Sequence, residues 1–129
     1  MTQIKVYGLA EKLNPIKTKL ANIIHSSIIE VLQLPPKKRF HRFFSLERDD
    51  FYYPSDRSEN YLIIEISMFE GRTLETKKRL IYRLIQKINQ NLNIAVNDIE
   101  ITLFETPPAN WGIRGLTGDE LNLNYKVDV

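Results

Sequence analysis

Cysteine is absent from the 129 residues. Disulfides, thiol nucleophiles and thiolate-bound metals are excluded with it. The same absence agrees with a reducing compartment, and the cytoplasm is the expected location. Excess charge is also missing. Eighteen Lys and Arg against sixteen Asp and Glu leave a formal net charge of +2, too little to point to nucleic acid as a partner. No run is long and apolar enough to span a membrane, so no membrane partner is expected. The opening Met1-Thr2-Gln3-Ile4-Lys5-Val6 lacks the apolar stretch of a secretory signal. Histidine occurs twice, as His25 and His41, without matched carboxylates nearby. That is a poor ligand set, and neither a metal nor a cofactor is expected.

What is present is ordinary for a folded domain, with 43% hydrophobic and 26% charged residues. Residues 1–129 read as one domain large enough to bury a core without staples. Ile4 to Leu9 alternates like a strand. Asn14-Pro15 predicts a helix start, with Asn14 as N-cap and Pro15 in the first turn. Leu20, Ile24, Ile28, Val31 and Leu32 follow at helical spacing, and Pro35-Pro36 ends the helix. Arg39 to Leu46 reads as a second strand, and Phe51 to Asn60 as a connecting loop.

The pattern then recurs. Tyr61 to Phe69 reads as a strand, and Thr73 as the N-cap of a helix whose stripe includes Leu80, Leu84, Ile88 and Leu92. Asp98 to Glu105 reads as the fourth strand. The tail reads as an irregular arm with a short strand near Leu121 to Val127. One constant shift along the chain takes Leu20 to Leu80, Val6 to Ile66, Ile28 to Ile88 and Phe44 to Phe104. Apolar positions agree through strand, helix and strand in order, which indicates two pseudo-repeats over about 1–56 and 57–129. The expected fold class is α/β (α+β): a tandem β-α-β, with a four-stranded mixed sheet and two helices on one face. The other face then needs cover, which a second copy of the chain supplies most simply.

Four segments carry a resemblance. They are Leu34-Pro35-Pro36-Lys37-Lys38-Arg39-Phe40, Arg57-Ser58-Glu59-Asn60-Tyr61, Gly71-Arg72-Thr73-Leu74-Glu75-Thr76-Lys77 and Asn110-Trp111-Gly112. In this order and spacing the chain resembles the tautomerase superfamily, in particular its malonate semialdehyde decarboxylase-like branch. The resemblance implies a tautomerase/macrophage migration inhibitory factor fold and a homotrimer with active sites near subunit boundaries. It also implies a base formed by an N-terminal proline, whose buried secondary amine stays neutral. The matching position here is Thr2, so that proline is absent. A threonine amine is primary, with a reference pKa of about 7.7–8.0. With Met1 retained it would be displaced by one residue.

The resemblance places a substrate-binding arginine at Arg72. Its guanidinium would clamp a carboxylate, or else it is a surface residue pairing with Glu70 or Glu75. Lys38 falls where the branch has a catalytic acid, and Glu70 where it has a second arginine. Lys38 and Arg39 either face the pocket and draw in an anion, or belong to a solvated basic run with Lys37, His41 and Arg42. In a strand, Arg39 and His41 would share one face. Trp111 is an interface anchor, a pocket wall, or both. The leading expectation is a protein binding a small 2-oxo or enol carboxylic acid, with weak or altered keto-enol tautomerase activity. Thr2 and Arg72 would be the catalytic pair. The alternative is a non-catalytic trimeric binding protein on the same scaffold.

Overall fold

The computed structural model describes residues 2–121 and 127–129. Strand β1 (Thr2–Leu9) leads into a short helix α1 (Ala10–Leu13) and, after a 3-10 turn at Asn14–Ile16, into α2 (Lys17–Leu32). Strand β2 is His41–Leu46, β3 is Leu62–Phe69, helix α3 is Leu74–Leu92 and β4 is Ile99–Thr106. Two residue pairs, β5 (Gly112–Ile113) and β6 (Leu116–Thr117), form a small hairpin in the arm.

The sheet runs β2-β1-β3-β4. Strands β1 and β2 are parallel, β1 and β3 antiparallel, and β3 and β4 parallel. This is the mixed sheet that two right-handed β-α-β halves produce when joined through their first strands. The repeat is visible in detail. Strands β1 and β3 start at Thr2 and Leu62, related by the same shift as the apolar stripes, and bury the same alternate positions. Helices α2 and α3 end at Leu32 and Leu92, and their C-caps Gln33 and Asn93 are both left-handed, with φ of 56° and 55°.

Between sheet and helices lies one apolar core. Ile4, Val6, Ile64, Ile66 and Met68 on the sheet meet Leu20, Ile24, Leu80, Leu84 and Ile88 on the helices. Each such side chain, fully withdrawn from water, stabilises the fold by about 1.5–3 kcal/mol. On the opposite face Tyr7 stacks on Phe44 with ring centroids 4.7 Å apart, while Phe44 and Phe104 remain exposed.

Some boundaries differ from the sequence reading. Helical backbone begins at Ala10, ahead of Asn14-Pro15. Asn14 caps nothing with its side chain; its Oδ1 accepts from Ser45 Oγ at 2.6 Å. Proline lacks the N–H that would continue the ladder, so the chain passes through 3-10 geometry there instead of starting afresh. The true entry, Leu9-Ala10, has no capping side chain to announce it. Strand β2 starts at His41 rather than Arg39, although the Phe40 carbonyl still accepts from Ile4 N at 2.9 Å. The strand expected near Leu121 to Val127 falls mostly outside the described residues, and the arm's strands are the earlier β5 and β6.

Candidate functional site

The site is assembled at the end of the sheet where β1 begins and β3 ends. Thr2 pairs with Met68 across the antiparallel ladder and is 8% exposed. Beyond Phe69 the chain turns at Gly71, whose φ of +131° is a conformation that side-chain-bearing residues rarely adopt. That turn returns Arg72 beneath the strand it has just left. Thr73 then starts α3, its Oγ1 accepting from Thr76 N at 3.1 Å. The Val129 main-chain oxygen accepts from Thr73 N at 3.1 Å and from Thr76 Oγ1 at 3.0 Å.

Arg72 is 5% exposed. Its Nη1 donates to the Phe69 carbonyl at 3.0 Å. Its Nε and Nη2 are buried and have no hydrogen-bond partner among the described residues. Burial lowers the guanidinium pKa from its ordinary value, and the nearby Glu105 carboxylate works the other way. Arg72 makes no ion pair with Glu70 or Glu75 among the described residues. A buried guanidinium with unused donors is costly to leave unpaired, and a planar donor fork suits a carboxylate.

Phe69 is fully buried, with Trp111 meeting its ring edge to face at 5.1 Å. The arm lies so close that a Cβ on Gly118 would come within 2.9 Å of the Phe69 ring and 2.6 Å of the Pro108 carbonyl oxygen. Glycine is thus required there for the arm to lie against the strand. Beside it, a shallow cavity of about 270 Å³ is lined by Gln3, Ser67, Thr106, Asn110, Trp111 and Gly112.

Lys38 and Arg39 reach the same end of the sheet from the other side. The parallel register sets His41 beside Ile4, which carries the preceding residues alongside Thr2. Both side chains are exposed. Arg39 turns toward α2, where its Nη1 donates to Asn22 Oδ1 at 2.8 Å. Thr2, Lys38, Arg39, Arg72 and Trp111 therefore share one end of the fold, but only Thr2 and Arg72 are buried in it. Met1 lies outside the described residues.

The two histidines, separate in sequence, meet in space with ring centroids 6.1 Å apart. His25 Nε2 lies 2.7 Å from the Pro36 carbonyl oxygen. Burial, helped by Arg39 and His25, lowers the His41 pKa to about 4. Sequence reasoning also missed Asp98, which is buried and accepts from Ser58 N at 2.7 Å and Ser58 Oγ at 2.5 Å. That pair fastens the 51–60 loop to the start of β4. Nothing in the sequence around Ser58 or Asp98 signals a contact between positions so far apart along the chain.

With this geometry in place, comparison with known proteins identifies the class. The chain belongs to the tautomerase enzyme family, whose model matches residues 38–114. It is similar to the probable tautomerase YusQ of Bacillus subtilis (strain 168), with 26% identity over 98 residues covering 72% of this chain and 77% of that protein. Its fold is that of a fused 4-OT wild-type asymmetric trimer, with a TM-score of 0.80 at 16% identity, covering 91% of this chain and 96% of that one. A malonate semialdehyde decarboxylase inhibited by 3-bromopropiolate shares it too, with a TM-score of 0.76 at 23% identity over 85% and 87% of the two chains. No helix among the described residues is long and apolar enough to cross a membrane.

Proposed function

We propose that this protein is a tautomerase-superfamily enzyme that binds a small 2-oxo or enol carboxylic acid at Arg72, with weak or altered keto-enol tautomerase activity. The observation that carries this reading is the buried guanidinium with Nε and Nη2 unpartnered among the described residues. A ligand carboxylate would satisfy both donors at once. Trp111 would wall the apolar part of the ligand, and the exposed Lys38 and Arg39 would attract the anion toward this end of the sheet.

Tautomerisation moves one proton from the enol oxygen to carbon. The group at the family's base position is Thr2. An amine freed there is primary, and it must lie within about 2.6–3.2 Å of the proton it takes, or reach it through one water. A displacement by one residue moves it by roughly 3.3–3.6 Å. This mismatch supports a weak or altered rate. The trimeric fold relative and the exposed Phe44 and Phe104 on the uncovered sheet face support self-association as a homotrimer. The family match favours this enzymatic reading over a non-catalytic scaffold.

The test is the ketonisation of phenylenolpyruvate by the wild type and by Thr2→Pro, with removal of Met1 verified by mass spectrometry. The expected result is a slow wild type and a measurable gain in the variant. High activity in a Met1-retaining wild type would require another base. No gain in a processed proline variant would favour the non-catalytic reading.

A further inference from the structure

A second cation engages the carboxylate whose charge bears on Arg72. Lys77, in the first turns of α3, donates through Nζ to Glu105 Oε1 at 2.8 Å, and both side chains are 27% exposed. Glu105 lies opposite Met68 in the β3/β4 register. It is thus one step from Phe69, whose carbonyl holds Arg72. The Glu105 carboxylate acts on the guanidinium through its charge but makes no ion pair with it among the described residues. A buried guanidinium close to a carboxylate ordinarily closes on it, because the attraction offsets part of the cost of its burial. Here the carboxylate is already engaged by Lys77. Arg72 is thus left in no ion pair among the described residues, with Nε and Nη2 free to meet one carboxylate.

We propose that Lys77 is a positioning residue for the anion site: by holding Glu105 it keeps Arg72 Nε and Nη2 open to a small carboxylate ligand. Glu105 is then an internal competitor that occupies Arg72 when Lys77 is lost. The inference rests on the reading of Arg72 as the anion handle. Its effect is on the fraction of molecules whose guanidinium is open, and the apparent dissociation constant scales inversely with that fraction.

The experiment is titration of phenylpyruvate, a stable 2-oxo acid, into wild type, Lys77→Met, Lys77→Arg, Glu105→Gln, the Lys77→Met/Glu105→Gln double variant and Arg72→Ala. Circular dichroism checks that each is folded. If Glu105 closes on Arg72 for about nine-tenths of the time, Lys77→Met binds about tenfold more weakly. Lys77→Arg and Glu105→Gln bind at least nearly as well as wild type, and the double variant recovers to the level of Glu105→Gln. In ketonisation of phenylenolpyruvate, Lys77→Met raises KM and leaves kcat unchanged. Wild-type affinity in Lys77→Met overturns the proposal. So does a weak double variant, since loss without rescue is the mark of a merely structural role. In either case, loss of binding in Arg72→Ala leaves the handle itself standing. Wild-type affinity in Arg72→Ala, or no binding by wild type, removes the handle and the proposal together.

Discussion

Trp111 meets the ring of Phe69 edge to face, with centroids 5.1 Å apart. Phe69 is also the residue whose carbonyl carries Arg72, so one strand end joins the arm to the proposed anion handle. Trp111→Ala removes the arm's aromatic hold. It should destabilise the protein by about 1–3 kcal/mol in urea denaturation, since such a pair adds to the apolar area it covers. Trp111→Phe should retain most of that. Equal stability of Trp111→Ala and wild type would show that the arm is held without the indole.

Self-association is the second expectation. Helices cover one face of the sheet, while Phe44 and Phe104 on the other stay 36% and 48% exposed. Sedimentation equilibrium at micromolar concentration should give the mass of three chains. Phe104→Asp should lower that mass by placing a charge on the sheet face that association would bury. A monomer mass for the wild type would contradict the trimer.

Acid should weaken the fold through His41. Its pKa falls to about 4 in the folded chain, from 6.5 as the ordinary value. The unfolded chain therefore binds the proton first. Stability is fully present above pH 6.5 and is lost progressively as pH falls toward 4. Urea midpoints measured across that window should fall with pH more steeply for wild type than for His41→Gln. Parallel slopes would show that the imidazole is not buried in the neutral form.

The helix ends make a paired prediction. Gln33 and Asn93 hold the same left-handed C-cap, at φ of 56° and 55°. Asparagine tolerates that region better than glutamine, and glycine tolerates it best. Gln33→Gly should raise stability by about 0.5–1 kcal/mol, and Asn93→Gly by less, set against the entropy that glycine adds to the unfolded chain. Loss of stability in Gln33→Gly would mean that its side chain makes a contact worth more than the strain.

The repeat made most of the fold legible. The strand–helix–strand apolar pattern, recurring at one constant shift, specified the sheet, the helical face and the β1/β3 symmetry, because burial writes itself into periodicity. Helix entry at Leu9-Ala10 was not legible, since no side chain caps it and Asn14-Pro15 imitates a start. The arm's β5 and β6 are two residues each, too short to carry a period. At the site, the Gly71-Arg72-Thr73 turn was legible through its capping threonine and glycine. The burial of Arg72 was not, because it depends on how the chain folds back under Phe69. A pairing between distant positions, as with Lys77 and Glu105, leaves no trace in local pattern.

The most direct test of the central claim is the dissociation constant of phenylpyruvate measured by calorimetry for wild type, Arg72→Lys and Arg72→Ala. A guanidinium fork that binds the carboxylate through Nε and Nη2 should lose roughly 2 kcal/mol or more on truncation, since hydrogen bonds to charged groups contribute about 1.5–3 kcal/mol each. That is about a thirtyfold weakening for Arg72→Ala, with lysine recovering only part of it because a point charge cannot replace the fork. Indistinguishable constants for wild type and Arg72→Ala, in proteins of unchanged secondary structure, would contradict the account.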